Sequence, residues 1–147
     1  MNTIVVTKDF EIHTTPLEKV IMDAYEIQIF LDDINEKRYK IRICPYQAYR
    51  IVTIDCFSIA TYYNEYCTRD GVYHTHILEV VESEWIKELK NSLTDTHAIF
   101  LNEAKHYVLP LQENVIEFVA KGFDMVEISE KMGSEIACHK DEREFQE

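Results

Sequence analysis

Hydrophobic and polar residues alternate most clearly in Lys105–Ile128, KHYVLPLQENVIEFVAKGFDMVEI. Val115, Glu117 and Val119 fall on one side of an extended chain, and Ile116 and Phe118 on the other. A period of two is the mark of a β-strand. Because both sides are largely apolar, this strand is expected at the centre of a sheet. The whole stretch reads as three strands joined by two turns, with Gly122 in position to turn the chain through a positive φ.

A second clear alternation runs from Ala24 to Cys44. Tyr25, Ile27, Ile29 and Leu31 point one way, and Glu26, Gln28 and Phe30 the other. After the polar turn Asp32–Lys37, Tyr39, Ile41 and Ile43 alternate with Arg38, Lys40, Arg42 and Cys44. This is a hairpin with a dry face and a wet face, on which Glu26 and Asp32 can meet the basic residues of the second strand. Pro45 closes it, and Tyr46–Ile54 supports a further strand. Thr3–Thr7 and Phe10–His13 read as short strands, and Pro16 is expected to open a helical turn over Leu17–Met22. Asp55–Cys67 fits a helical face or a strand about equally. Thr68–Gly71 is a turn, and Val72–Val81 is read as a strand.

Ser83 is a favourable N-cap, with Glu84 in the first turn, where the helix dipole attracts an anion. Trp85, Ile86, Leu89 and Leu93 then lie on one face of a helix over about residues 84–93, and are expected to be buried. Thr94–Ala98 is read as a loop. The fold expected from these elements is α+β: one antiparallel sheet of about five to seven strands, with one or two helices packed on one face.

The chain has 147 residues, 46% hydrophobic and 29% charged, the size and make-up of a single domain with a real core. Segment 129–147 is an acidic tail, with Glu130, Glu135, Asp141, Glu142, Glu144 and Glu147 against Lys131, Lys140 and Arg143. It is expected to begin as a short helix and fray. No signal-peptide pattern or membrane-length apolar run is visible, so a cytoplasmic protein is expected.

Charge narrows the function classes. Asp and Glu number 27 against 15 Lys and Arg, a net charge of −12. That opposes nucleic-acid binding, which needs cationic surface, and suits a basic protein partner. Nothing points to catalysis. There is no GxSxG, and Gly71, Gly122 and Gly133 are too scattered for a phosphate loop. His74-x-His76 on a strand would put two imidazoles on one face, as a metal site needs, yet no further ligand stands at a familiar spacing. They read as ordinary strand histidines, and no metal or cofactor is expected there or at Cys138-His139. Cys44, Cys56, Cys67 and Cys138 read as free thiols, although Cys56 and Cys67 could meet. The nine tyrosines include Tyr46, Tyr49, Tyr62, Tyr63 and Tyr66 in one region, a residue type that packs over sheets and also anchors interfaces.

The succession of SEWIKELKNS and KHYVLPLQENVIEFVAKGFDMVEI between Tyr73 and Ile128 resembles small bacterial immunity proteins of polymorphic (LXG-type or contact-dependent) toxin systems. The resemblance implies a stoichiometric antitoxin, without enzymatic activity, that neutralises a cognate toxin domain, often a basic nuclease. The expected contacts are Asp32, Asp33, Glu36, Glu82, Glu84, Glu88 and Glu113, with Tyr63 and Tyr66 as aromatic anchors. The alternatives are an inhibitor of another protein, such as a phage-encoded anti-defence factor, and a small-molecule-binding α+β domain.

Overall fold

The computed structural model describes residues 2–62 and 64–128. The acidic tail expected at 129–147 lies outside them. Nine strands are described: β1 (Thr3–Val5), β2 (Lys19–Met22), β3 (Ile27–Asp32), β4 (Arg38–Ile43), β5 (Ala48–Thr53), β6 (Leu78–Val80), β7 (Lys105–Pro110), β8 (Asn114–Ala120) and β9 (Asp124–Ile128). They form two antiparallel sheets, one of five strands in the order β1-β6-β7-β8-β5 and one of four in the order β2-β3-β4-β9. The single sheet expected from the sequence is therefore corrected to two sheets around a shared core.

The reason lies in the stretch 105–128. β7 and β8 form the expected hairpin, with Leu109 opposite Ile116 and Tyr107 opposite Phe118. β8 is central, between β7 and β5. At Gly122 the chain leaves this sheet, and β9 pairs with β4 in the other, Met125 opposite Ile41. Gly122 does this without a positive φ; among the described residues that conformation falls to Gly71, Glu36 and Glu82. One segment thus supplies strands to both sheets and ties them together.

The dry faces meet as the alternation predicts. Ile27, Ile29, Leu31, Ile41 and Ile43 from the four-stranded sheet pack in one cluster with Tyr107, Leu109, Ile116, Phe118 and Ala120 from the other. β-branched and aromatic residues dominate because they fit a pleated, buried surface. On the wet side of the hairpin, Asp32 pairs with Arg38 at 3.0 Å and Glu26 with Arg42 at 2.6 Å. Residues 19–22 are strand β2 rather than a helical turn, with Val20 opposite Ile29 and packed on the core. The β-branched pair Val20-Ile21 favours that outcome. Of Phe10–His13, only an isolated bridge between Ile12 and Asp33 remains.

The outer face of the five-stranded sheet carries a second apolar cluster, Tyr62, Cys67, Leu78, Val80, Val108 and Val115. It is roofed by 3-10 turns at Ile54–Cys56, Ile59–Tyr62 and Glu65–Thr68, which resolves the ambiguous segment. Cys44, Cys56 and Cys67 are free thiols. The strand read over 72–81 shrinks to β6, because residues 74–77 take their backbone partners from separate places: His74 from Cys67, Thr75 from Ile12 and Ile77 from Val6. Helix α1 (Glu84–Asn91) is capped by Ser83, whose side chain accepts from the Ile86 N–H. A short helix α2 (Asp95–Ala98) and a 3-10 turn (Ile99–Leu101) replace the expected loop. No residue of α1 is fully buried, and Leu93 is exposed, so its apolar face is only half covered.

Truncation costs should follow this division. Phe118→Ala, in the shared core, is expected to destabilise by about 3–5 kcal/mol. Trp85→Ala, at a part-covered site, should cost about 2 kcal/mol. Denaturant unfolding of both variants checks the order.

Candidate functional site

The most concentrated polar chemistry lies under α1, on the outer face of the five-stranded sheet. Glu117 follows from the β8 alternation: it shares its side of the strand with Val115 and Val119, and its side chain is 3% exposed. A carboxylate taken from water must be paired and hydrogen-bonded. Four bonds do this. Arg50 on β5, directly opposite Glu117, donates from Nε to Oε2 at 2.7 Å and from Nη2 to Oε1 at 3.1 Å. The Tyr62 hydroxyl donates to Oε1 at 2.7 Å. His106 on β7 lies with Nε2 at 2.8 Å from the same oxygen.

The chain continues outward. His106 Nδ1 is 2.7 Å from Ser83 Oγ, the N-cap of α1. A carboxylate only accepts, so His106 Nε2 carries a proton. Ser83 Oγ also accepts from Ile86 N–H, so one hydroxyl serves both the ring and the helix cap. Trp85 closes the cluster, with the Arg50 guanidinium 4.0 Å from its ring centroid and the His106 ring edge-on at 5.1 Å.

Burial pushes the Glu117 carboxyl up, but the bonds from His106, Arg50 and Tyr62 outweigh it and hold the group down at about 2. Burial and the same carboxylate push the Tyr62 phenol up to about 12. Hydroxyl, imidazole and carboxylate in sequence also occur in charge-relay hydrolases. Here the hydroxyl is buried and serves as a helix cap, and the carboxylate charge is shared with Arg50 and Tyr62. The arrangement clamps three strands, a 3-10 turn and a helix N-terminus to one buried charge.

The described residues expected to bind a partner sit on several elements. Asp32 is held by Arg38. Asp33 is 7% exposed and accepts from the Asn35 and Lys37 N–H groups, which shapes the β3–β4 turn. Glu36 is exposed in that turn at φ 63°. Glu82, Glu84 and Glu88 are exposed at the start and along α1, with Glu84 3.0 Å from Lys87. Glu113 lies past the far end of β7, roughly 20 Å from the α1 end at about 3.3 Å per residue. Tyr66 is half-buried between Lys8 and Arg69. Tyr63 lies outside the described residues, as do Cys138 and His139.

His74 and His76 do not converge. His74 Nδ1 meets Glu11, while His76 Nδ1 meets the Phe10 carbonyl at 2.8 Å and its Nε2 meets Arg69 at 3.1 Å. Among the described residues, no group of three or more His, Cys, Asp or Glu is placed to hold a metal ion.

The largest exposed apolar side chains near α1 were missed by the sequence reading. Ile99 is 61% and Phe100 63% exposed. Leu89, Leu93, His97 and Phe100 line an open cleft of about 350 Å³ that Gln47 and Leu101 complete. Ile99 and Phe100 directly follow the stretch read as a loop, and no periodicity there marked them. Compared with protein-family models, curated proteins and solved structures, the chain matches none.

Glu117→Gln removes the buried charge and its charge-assisted bonds, while Arg50 keeps access to water, and is expected to destabilise by about 1.5–3 kcal/mol near neutral pH. A carboxyl depressed on folding adds stability above its ordinary value of 4.5 and loses it as pH falls toward about 2. Urea unfolding between those limits should show a pH dependence in the wild type that is flatter in the variant.

Proposed function

We propose that this chain is an immunity-type inhibitor that neutralises a toxin domain, a basic nuclease, by protein–protein contact. The net charge of −12 supports a basic partner, since complementary potentials steer encounter. The ionisable groups that converge under α1 are engaged with one another, which favours a structural use for them. The observation that carries the reading is the open cleft where Phe100 shares apolar surface with Leu89 and Leu93, with Ile99 exposed next to Phe100 in the chain. Contiguous apolar surface of this kind marks protein contact sites. Glu88, exposed on α1, supplies an acidic rim, and Arg50 stacked on Trp85 brings the residue types common at binding hot spots.

The test is co-purification from the producing cell, followed by calorimetry with the partner recovered. Phe100→Asp is expected to weaken binding by more than about tenfold, or about 1.4 kcal/mol. Glu88→Lys should mainly slow association and reduce its salt dependence. A toxin domain as the partner supports the reading; a host defence factor favours the anti-defence alternative. Affinity that is indifferent to salt and to both substitutions refutes it.

A further inference from the structure

A second polar cluster, remote from Glu117, joins the N-terminal segment to the loop before β6. His76 is completely buried at its centre. Its Nδ1 faces the Phe10 carbonyl, which only accepts, so Nδ1 carries the proton. Its Nε2 faces Arg69 Nη1, which only donates, so Nε2 is bare. The two neighbours together allow one state, the neutral Nδ1–H tautomer. Arg69 is itself fixed, donating to the Tyr66 carbonyl at 2.8 Å, lying 4.1 Å from the Tyr66 ring centroid and sitting 3.8 Å from Glu11.

We propose that the Arg69–His76 contact is an acid-sensitive latch between residues 8–12 and residues 65–76. Protonation at Nε2 replaces an acceptor with a donor that faces another donor. It also sets two cations 3.1 Å apart, one of them on the fully buried His76 ring. Arg69 must then swing away, leaving the Tyr66 face and carbonyl. The backbone bonds that dock the loop, Ile12 N–H to the Thr75 carbonyl and His74 N–H to the Cys67 carbonyl, lose their support.

The surrounding charges fix the sign. Tyr66 and the Cys67 thiol belong to the same turn as Arg69, and Lys8, over the Tyr66 ring, adds positive charge. Glu11 lies between Arg69 and His74 and partly neutralises both, and Asp70 is 3.3 Å from His74 Nε2. His74 therefore has carboxylate partners, whereas His76 faces a guanidinium. The latch is independent of the proposed partner.

The test begins with nitrogen chemical shifts of His76 in the wild-type chain near neutral pH. A protonated Nδ1 with a bare Nε2 is expected; an Nε2–H tautomer or an imidazolium overturns the proposal. Amide exchange of Ile12 and His74, corrected for its intrinsic pH dependence, is then followed from about pH 8 to about pH 5. It should speed up roughly tenfold in the wild type and in His74→Gln, but not in Arg69→Met, where the second cation is gone. An unchanged acid response in Arg69→Met, or its loss in His74→Gln alone, overturns the latch even if the tautomer is right.

Discussion

The buried negative charge on Glu117 constrains the architecture around it. It stands on the central strand of the five-stranded sheet, where its neighbours above and below are valines. A charge there is tolerable only with several donors in place at once. Those donors come from β5, from the 3-10 turn ending at Tyr62 and from β7, and His106 passes the chain on to the cap of α1. The outer layer is therefore positioned by directional bonds as much as by apolar area. The face toward the second sheet contrasts with this: the packed isoleucines, Phe118 and Leu109 meet there without charged partners.

This division bears on function. A buried network in which Glu117, Arg50, Tyr62, His106 and Ser83 are engaged with one another supports the helix above it, and the proposed recognition falls to what projects beyond it. α1 is fastened by its N-terminus through Ser83, while its C-terminal end leads into the exposed Leu93, Ile99 and Phe100. A rigid helix that presents half of its apolar face is suited to contact with another protein, at little ordering cost on binding. In the proposed reading, the acidic side chains distributed over turns and helix would add long-range attraction to a basic partner.

Much of the fold was legible in the sequence because period-two alternation survives wherever one face is buried. The Ala24–Cys44 hairpin, β5, β7 and β8 follow from it, and the start of α1 follows from the Ser83 cap. The split into two sheets was not legible, because it depends on β9 pairing with β4 rather than with β8, a choice made by packing of Met125 and Phe123 on the shared core. Residues 72–77 look like a strand by composition, yet are extended without a continuous partner. The Glu117 cluster had a visible signal: a lone carboxylate between Val115 and Val119 on a strand apolar on both faces requires hydrogen-bond donors around it. Its partners did not, since Arg50, Tyr62, His106 and Ser83 are brought together by strand order alone. Among the acidic candidates, sequence could not tell Asp33, which serves its own turn, from Glu88, which faces solvent.

The account rests on Glu117 being ionised beneath α1 and held so by its donors. The most direct measurement is a carbon-detected NMR titration of its side-chain carboxyl. The account predicts a carboxylate that stays ionised well below the ordinary value of 4.5, toward about 2, with a hydrogen-bonded His106 Nε2 proton visible at neutral pH. A Glu117 that titrates at or above the ordinary value, with no such proton, would contradict it.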